Sequence, residues 1–138
     1  MTKEEKQLLL KDLCCRLPFG VKCNVQNDKI NKDYVLTDIH TNGYGFDNKY
    51  GVFYGSNSFI VKPYLRPMSS MTDDEWEEYN HLKMEDWVMG DIYGVFYNAG
   101  TITDWLNKYM FDYRGLIPMG LALEASEGMY KIEENGKV

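Results

Sequence analysis

A chain of 138 residues with 44% hydrophobic and 14% aromatic content can bury a genuine core as one domain, and three bunched cysteines exclude a disulfide scaffold. It has no apolar run for a membrane span, and its charged start (Lys3, Glu4, Glu5, Lys6) lacks a signal-peptide core, so a cytoplasmic location is expected. The net charge of −6 is concentrated: residues 72–91 hold eight acids and one base while the rest is near neutral, which makes nucleic acid an unfavourable partner.

Thr2 followed by Glu5 reads as a capping box opening a helix over residues 3–16. Leu9, Leu10, Leu13, Cys14 and Leu17 form its apolar stripe, Asp12 and Arg16 can pair on another face, and Pro18 with Gly20 ends it. Val21 to Val25 alternates as a half-buried strand does, Asn27-Asp28 turns the chain, and Tyr34 to His40 reads as a second strand. Asn42-Gly43 and Tyr44-Gly45 look like loop chemistry with positive φ at the glycines. Residues 50–54 and 58–62 look like two more strands around Gly55-Ser56-Asn57.

Thr72 and Glu75 form a second capping box, with Asp73 and Asp74 in the first turn, where the helix dipole favours negative charge. This predicts a helix from Asp73 to about Met84, or as far as Trp87, with Trp76, Tyr79, Lys83 and Trp87 on one face. Ile92 to Tyr97 reads as a further strand. It repeats a pentapeptide, since Tyr50-Gly51-Val52-Phe53-Tyr54 and Tyr93-Gly94-Val95-Phe96-Tyr97 are identical. An internal duplication would make these equivalent strands; coincidence is the preferred reading, because the flanks differ and a third copy is missing. Thr101 or Thr103 can cap a third helix through Trp105, Leu106 and Tyr109, broken by residues 111–118; residues 119–125 suit a short helical turn or strand, and 131–138 should fray.

The expected fold is therefore a single α+β domain over residues 1–138: a bent antiparallel sheet of about five strands, an N-terminal helix and two further helices. Closure into a small SH3-like barrel is one option.

Reactive chemistry is thinly represented. Cys23 could meet His40 on a neighbouring strand, but Cys14 and Cys23 fall on apolar faces, and core thiols are the preferred reading. Glu77, His81 and Glu85 share a helix face, yet zinc and iron sites want more imidazole or thiolate, so a solvated surface is preferred. The glycines match no phosphate-binding spacing. No catalytic residue, metal or cofactor is assigned.

Two dense segments remain. In Lys62-Pro63-Tyr64-Leu65-Arg66-Pro67-Met68-Ser69-Ser70-Met71-Thr72, the prolines favour extended backbone. It is either a structured strand-to-helix connection or a partner-facing lip anchored by Tyr64 and Arg66, with Ser69 and Ser70 beside them. In the second, Asp112, Tyr113 and Arg114 follow Phe111, and Arg114 can form a local fork with Asp112 or reach across to the acidic helix. Tyr64, Arg66, Ser69, Ser70, Asp112, Tyr113 and Arg114 are thus the candidate binding residues, set against a scaffold role for the same groups.

Both segments resemble blocks of a family of small proteins of gut Bacteroidales and their prophages, to which no activity is assigned. The likeness adds Leu17-Pro18-Phe19-Gly20, Asp104-Trp105-Leu106-Asn107, the Phe111-Asp112-Tyr113-Arg114-Gly115-Leu116-Ile117 run and Gly120-Leu121-Ala122-Leu123-Glu124-Ala125, and it misses the loops at 27–57 and 85–92. It implies context: an accessory protein of a bacterium or mobile element. The leading expectation is a non-catalytic module that recognises a protein partner through the tyrosine-rich strands and the 62–71 lip, with homo-oligomerisation open. The alternatives are a small enzyme using Cys23 with His40, or Arg66, Asp112 and Arg114 around a pocket, and a protein that binds a small ligand or nucleotide.

Overall fold

Thr2 opens the first helix as its spacing predicts, its Oγ1 accepting the Glu5 amide at 3.1 Å. Helix α1 runs Lys3–Arg16, passes into a 3₁₀ turn over Leu17–Phe19, and ends at Gly20, whose φ of 75° suits glycine. The structure is a computed structural model and describes residues 1–40, 43–48, 51–55, 59–89 and 92–130. The inward face of α1 differs from the expected stripe. Leu9, Asp12, Leu13 and Arg16 are buried, whereas Leu10 and Cys14 are exposed. The helix is rotated so that a charged pair faces inward, because residues from the C-terminal third supply partners for it.

Strand β1 spans Lys22–Gln26, β2 Asn31–His40, β3 Gly43–Asn48, β4 Gly51–Gly55 and β5 Ile60–Leu65. Asn27 turns β1 into β2 by accepting the Lys29 and Ile30 amides on its Oδ1 at 2.8 Å each. These five strands are antiparallel, and a two-residue strand, β6 (Leu123–Glu124), adds to β5 in parallel, giving the order β4-β3-β2-β1-β5-β6. The sheet is mixed and open. It is not an SH3-like barrel, since β4 and the very short β6 form its two edges instead of pairing.

Residues 43–45, expected as a loop, belong to β3. Gly45 is required there for space and not for a positive φ: it sits opposite Asp38, and a side chain would collide with the Asp38 carboxylate. A register shift between Leu36 and Asp38 bends β2 at the same point. Cys23, Val25, Leu36, Phe46, Val61 and Leu65 face a core shared with Leu9 and Leu13 of α1 and with Met110 and Leu116. Tyr34 and Tyr44 are half-buried and pack against that core.

Helix α2 covers Asp73–Met89 and α3 covers Ile92–Lys108. The second finding corrects two expectations. Residues 93–97 are helical, and Thr101 and Thr103 lie inside α3 instead of capping it. Residues 51–54 of the first copy are strand in β4 and residues 93–97 of the second are helix in α3, which removes the reading of the two copies as equivalent strands. Tyr79 and Leu82 of α2 meet Trp105, Leu106, Met71 and Phe111 in a second cluster, whereas Trp76 is 41% exposed. Among the described residues, no helix is long and apolar enough to cross a membrane. The expected turn at Ser56-Asn57, the side chains of Glu85 and Trp87, and the frayed segment 131–138 lie outside the described residues.

Candidate binding cleft

Residues 62–72 are first a strand and then a clamp. Lys62 to Leu65 belong to β5, and Pro63, which has no N–H to donate, faces Cys23 of β1 just before the Tyr64–Leu65 stretch that β6 covers. Arg66 continues the extended chain. Its amide donates to the Met110 carbonyl at 2.7 Å and its carbonyl accepts the Asp112 amide at 2.8 Å. Its guanidinium grips Glu75 with two bonds of 2.8 and 2.7 Å and lies 4.2 Å from the Phe111 ring centroid. Glu75 also accepts the Thr72 amide at 3.0 Å, while Thr72 Oγ1 accepts the Glu75 amide, so the fork is built onto the α2 capping box. Partial burial pushes the Glu75 carboxyl up, but the Arg66 fork and the Thr72 amide outweigh it and hold the group below its ordinary value.

The second segment is a clamp as well. Met110 has φ 62° and sits where glycine usually ends a helix, with its amide on the Asn107 carbonyl and the Phe111 amide on the Leu106 carbonyl. Asp112 is buried and accepts the Leu116 and Ile117 amides at 2.8 and 2.9 Å; it does not pair with Arg114. The Tyr113 hydroxyl donates to Asn107 at 3.0 Å. Arg114 turns to α1 and not to the acidic helix, reaching Asp12 at 2.7 Å and Cys15 Sγ at 3.4 Å. Asp12 holds Arg16 with its other oxygen at 2.9 Å, and Arg16 Nη2 donates to the Phe111 carbonyl at 2.7 Å.

Phe111 thus joins both segments, its ring under Arg66 and its carbonyl on Arg16. The candidate residues otherwise scatter. The Tyr64 hydroxyl donates to Asp33 at 2.7 Å on the outer sheet face. Ser69 is exposed, and Ser70 bonds the Pro67 carbonyl at 2.7 Å. Arg66, Asp112 and Arg114 do not ring one pocket.

Neither do Cys23 and His40 meet. Cys23 pairs in register with Tyr34, six residues before His40, which puts about 20 Å of strand between them. Burial, reinforced by Asp12 and Asp33, pushes the Cys23 thiol far up, and His40 is exposed beside Asp38. Of the three thiols, only Cys23 is a core group; Cys14 is exposed and Cys15 half-buried. No group of three His, Cys, Asp or Glu residues could hold a metal ion among the described residues.

An open cleft of about 610 Å³ lies beside the Arg66 clamp. One wall is Arg66, Pro67, Ser70, Thr72, Glu75 and Tyr109; the other runs from Glu124 through Gly128 to Tyr130. Both walls are tied down. Ala125 donates to the Leu65 carbonyl at 2.8 Å, Lys22 Nζ donates to the Met129 carbonyl at 2.9 Å, and the Tyr130 hydroxyl accepts the Lys22 amide and donates to the Tyr64 carbonyl, each at 2.8 Å. Burial pushes the Tyr130 hydroxyl far up, so it stays protonated in this role.

Sequence reasoning found the first wall and missed the second. Glu127 and Tyr130 become wall residues only because residues 123–125 return to β5, and nothing in their local pattern announces that. Comparison with family models, curated proteins and solved structures finds no match for this chain.

Proposed function

We propose that the protein is a non-catalytic accessory binding protein that recognises a protein partner through the 66–75/124–130 cleft. The observation that carries this reading is a preformed cleft of about 610 Å³ whose two walls are fixed by the Arg66–Glu75 fork and by Tyr130. Rigid walls favour recognition because less conformational freedom is lost on binding. The arginines that the sequence singles out serve those walls and the core. Separation of Cys23 from His40 argues against thiol chemistry, and three unpaired thiols support a reducing, cytoplasmic setting. The resemblance to proteins of gut Bacteroidales and their prophages supports the accessory role.

Capture of partners from a native host lysate tests the reading, with Ser70→Trp as the contrasting bait. Ser70 is exposed and lines the cleft, so an indole there occupies the opening; it gives up the Ser70 Oγ bond to the Pro67 carbonyl but leaves both partners of the Arg66–Glu75 fork unchanged. Loss of a specific partner with the tryptophan variant is expected. Equal recovery by both baits rejects the cleft.

A further inference from the structure

We infer that the cleft takes a lysine or arginine side chain from an extended basic segment of the partner, an inference that rests on the cleft being the partner-binding site. Four charged side chains line it: Arg66, Glu75, Glu124 and Glu127. Arg66 and Glu75 neutralise each other through their fork, and because Nη2 also reaches the Ser70 carbonyl at 3.4 Å, Arg66 keeps no paired N–H edge for bidentate capture of a carboxylate or phosphate. Glu124 and Glu127 remain. Both are exposed, and neither makes an ion pair or side-chain hydrogen bond among the described residues.

The opposite side reinforces their sign. Asp73, Asp74, Glu77 and Glu78 are exposed on the first turns of α2, directly after the Thr72 wall. Of these, Glu78 acts on the cleft: the Tyr109 hydroxyl on its wall is pushed up by burial and then by Glu78 and Glu75. A cation entering here meets Glu124 and Glu127 on one wall and the half-buried Tyr109 ring on the other, while its methylene stem can lie along Pro67 and Ala125. An acidic peptide or a nucleic-acid strand meets like charge.

The test uses the full chain and two short fluorescein-labelled peptides of equal length, one alternating lysine with alanine and one alternating glutamate with alanine. Fluorescence anisotropy is expected to show binding of the lysine peptide alone, weakening at high salt. The double reversal Glu124→Lys/Glu127→Lys should lower that affinity about tenfold or more. Reversal of two exposed acids elsewhere, Asp28→Lys/Asp47→Lys, should change it less than about threefold. Equal loss from both reversals, or no binding of the lysine peptide, overturns the inference.

The milder pair Glu124→Gln/Glu127→Gln, checked by circular dichroism for an unchanged fold, separates this inference from the reading beneath it. If a captured partner is lost with Ser70→Trp but kept with the glutamine pair, the cleft stands and the basic segment falls. If it is kept by both, both fall; loss with both supports both.

Discussion

At the scale of single residues, Phe111 and its neighbours explain why two segments look so informative in the sequence. Arg66 needs its planar fork for Glu75 and its flat face for the Phe111 ring, which lysine cannot supply. The fork makes stability depend on pH in a defined sense. Glu75 has a lowered pKa in the folded protein, so its contribution is complete above the ordinary value of 4.5 and is lost as pH falls through the folded value. Thermal melts should therefore show Tm declining below about pH 4.5 more steeply in the wild type than in Arg66→Ala, and parallel curves would show that the fork is not the cause. Met110 offers a second test. Its left-handed backbone is disfavoured for any residue with a Cβ, but its side chain is fully buried in the main core. Met110→Ala should cost about 2–5 kcal/mol in urea unfolding. Met110→Gly, although it removes one more carbon, should be about 1 kcal/mol less damaging than Met110→Ala, because glycine relieves the backbone. A glycine variant weaker than the alanine one would contradict this account.

Among the elements, the local signals that survive are those with a mechanism inside a few residues. The Thr2 and Thr72 caps, the Gly20 stop and the Asn27 turn each satisfy nearby backbone groups, and all four stand. What failed depended on distant partners. The shared Gly-Val-Phe-Tyr run takes strand geometry at 51–54 and helix geometry at 94–97, since local preference is weaker than tertiary context. The face of α1 was misread for a related reason: an aspartate and an arginine four residues apart look like a solvated surface pair, and only Arg114 and the Phe111 carbonyl make burial tolerable. Breaking this buried set should be severe. Asp12→Asn leaves Arg16 and Arg114 without their shared carboxylate and should destabilise the fold by about 3–5 kcal/mol, against under about 0.5 kcal/mol for the more superficial Glu5→Gln. Chemical denaturation measures both, and a loss below about 1 kcal/mol for Asp12→Asn would mean that the set carries little of the packing.

For the molecule as a whole, class and helix number were legible, while sheet closure and the second cleft wall were not. Alternation marks a strand without saying which strand lies beside it, so the open order β4-β3-β2-β1-β5-β6 is not readable from pattern. Of the candidate residues, Arg66 and Ser70 line the cleft, while Tyr64, Asp112, Tyr113 and Arg114 bond elsewhere in the fold. Charge was more informative than motif. Glu75 and the two glutamates near residue 125 are far apart in the chain, and the fold sets them around one opening.

The clamp between the first helix and the last third of the chain also constrains how the protein is made. Asp12 waits for Arg114, Arg16 for the Phe111 carbonyl and Lys22 for Tyr130, spans of 102, 95 and 108 residues. Synthesis delivers α1 well before residues 111–130, so beyond the local Asp12–Arg16 pair its inward charges lack their remaining counterparts until that later segment is made. Completion of this core is therefore a late event, because its long closures lose chain entropy before the contacts they make can compensate.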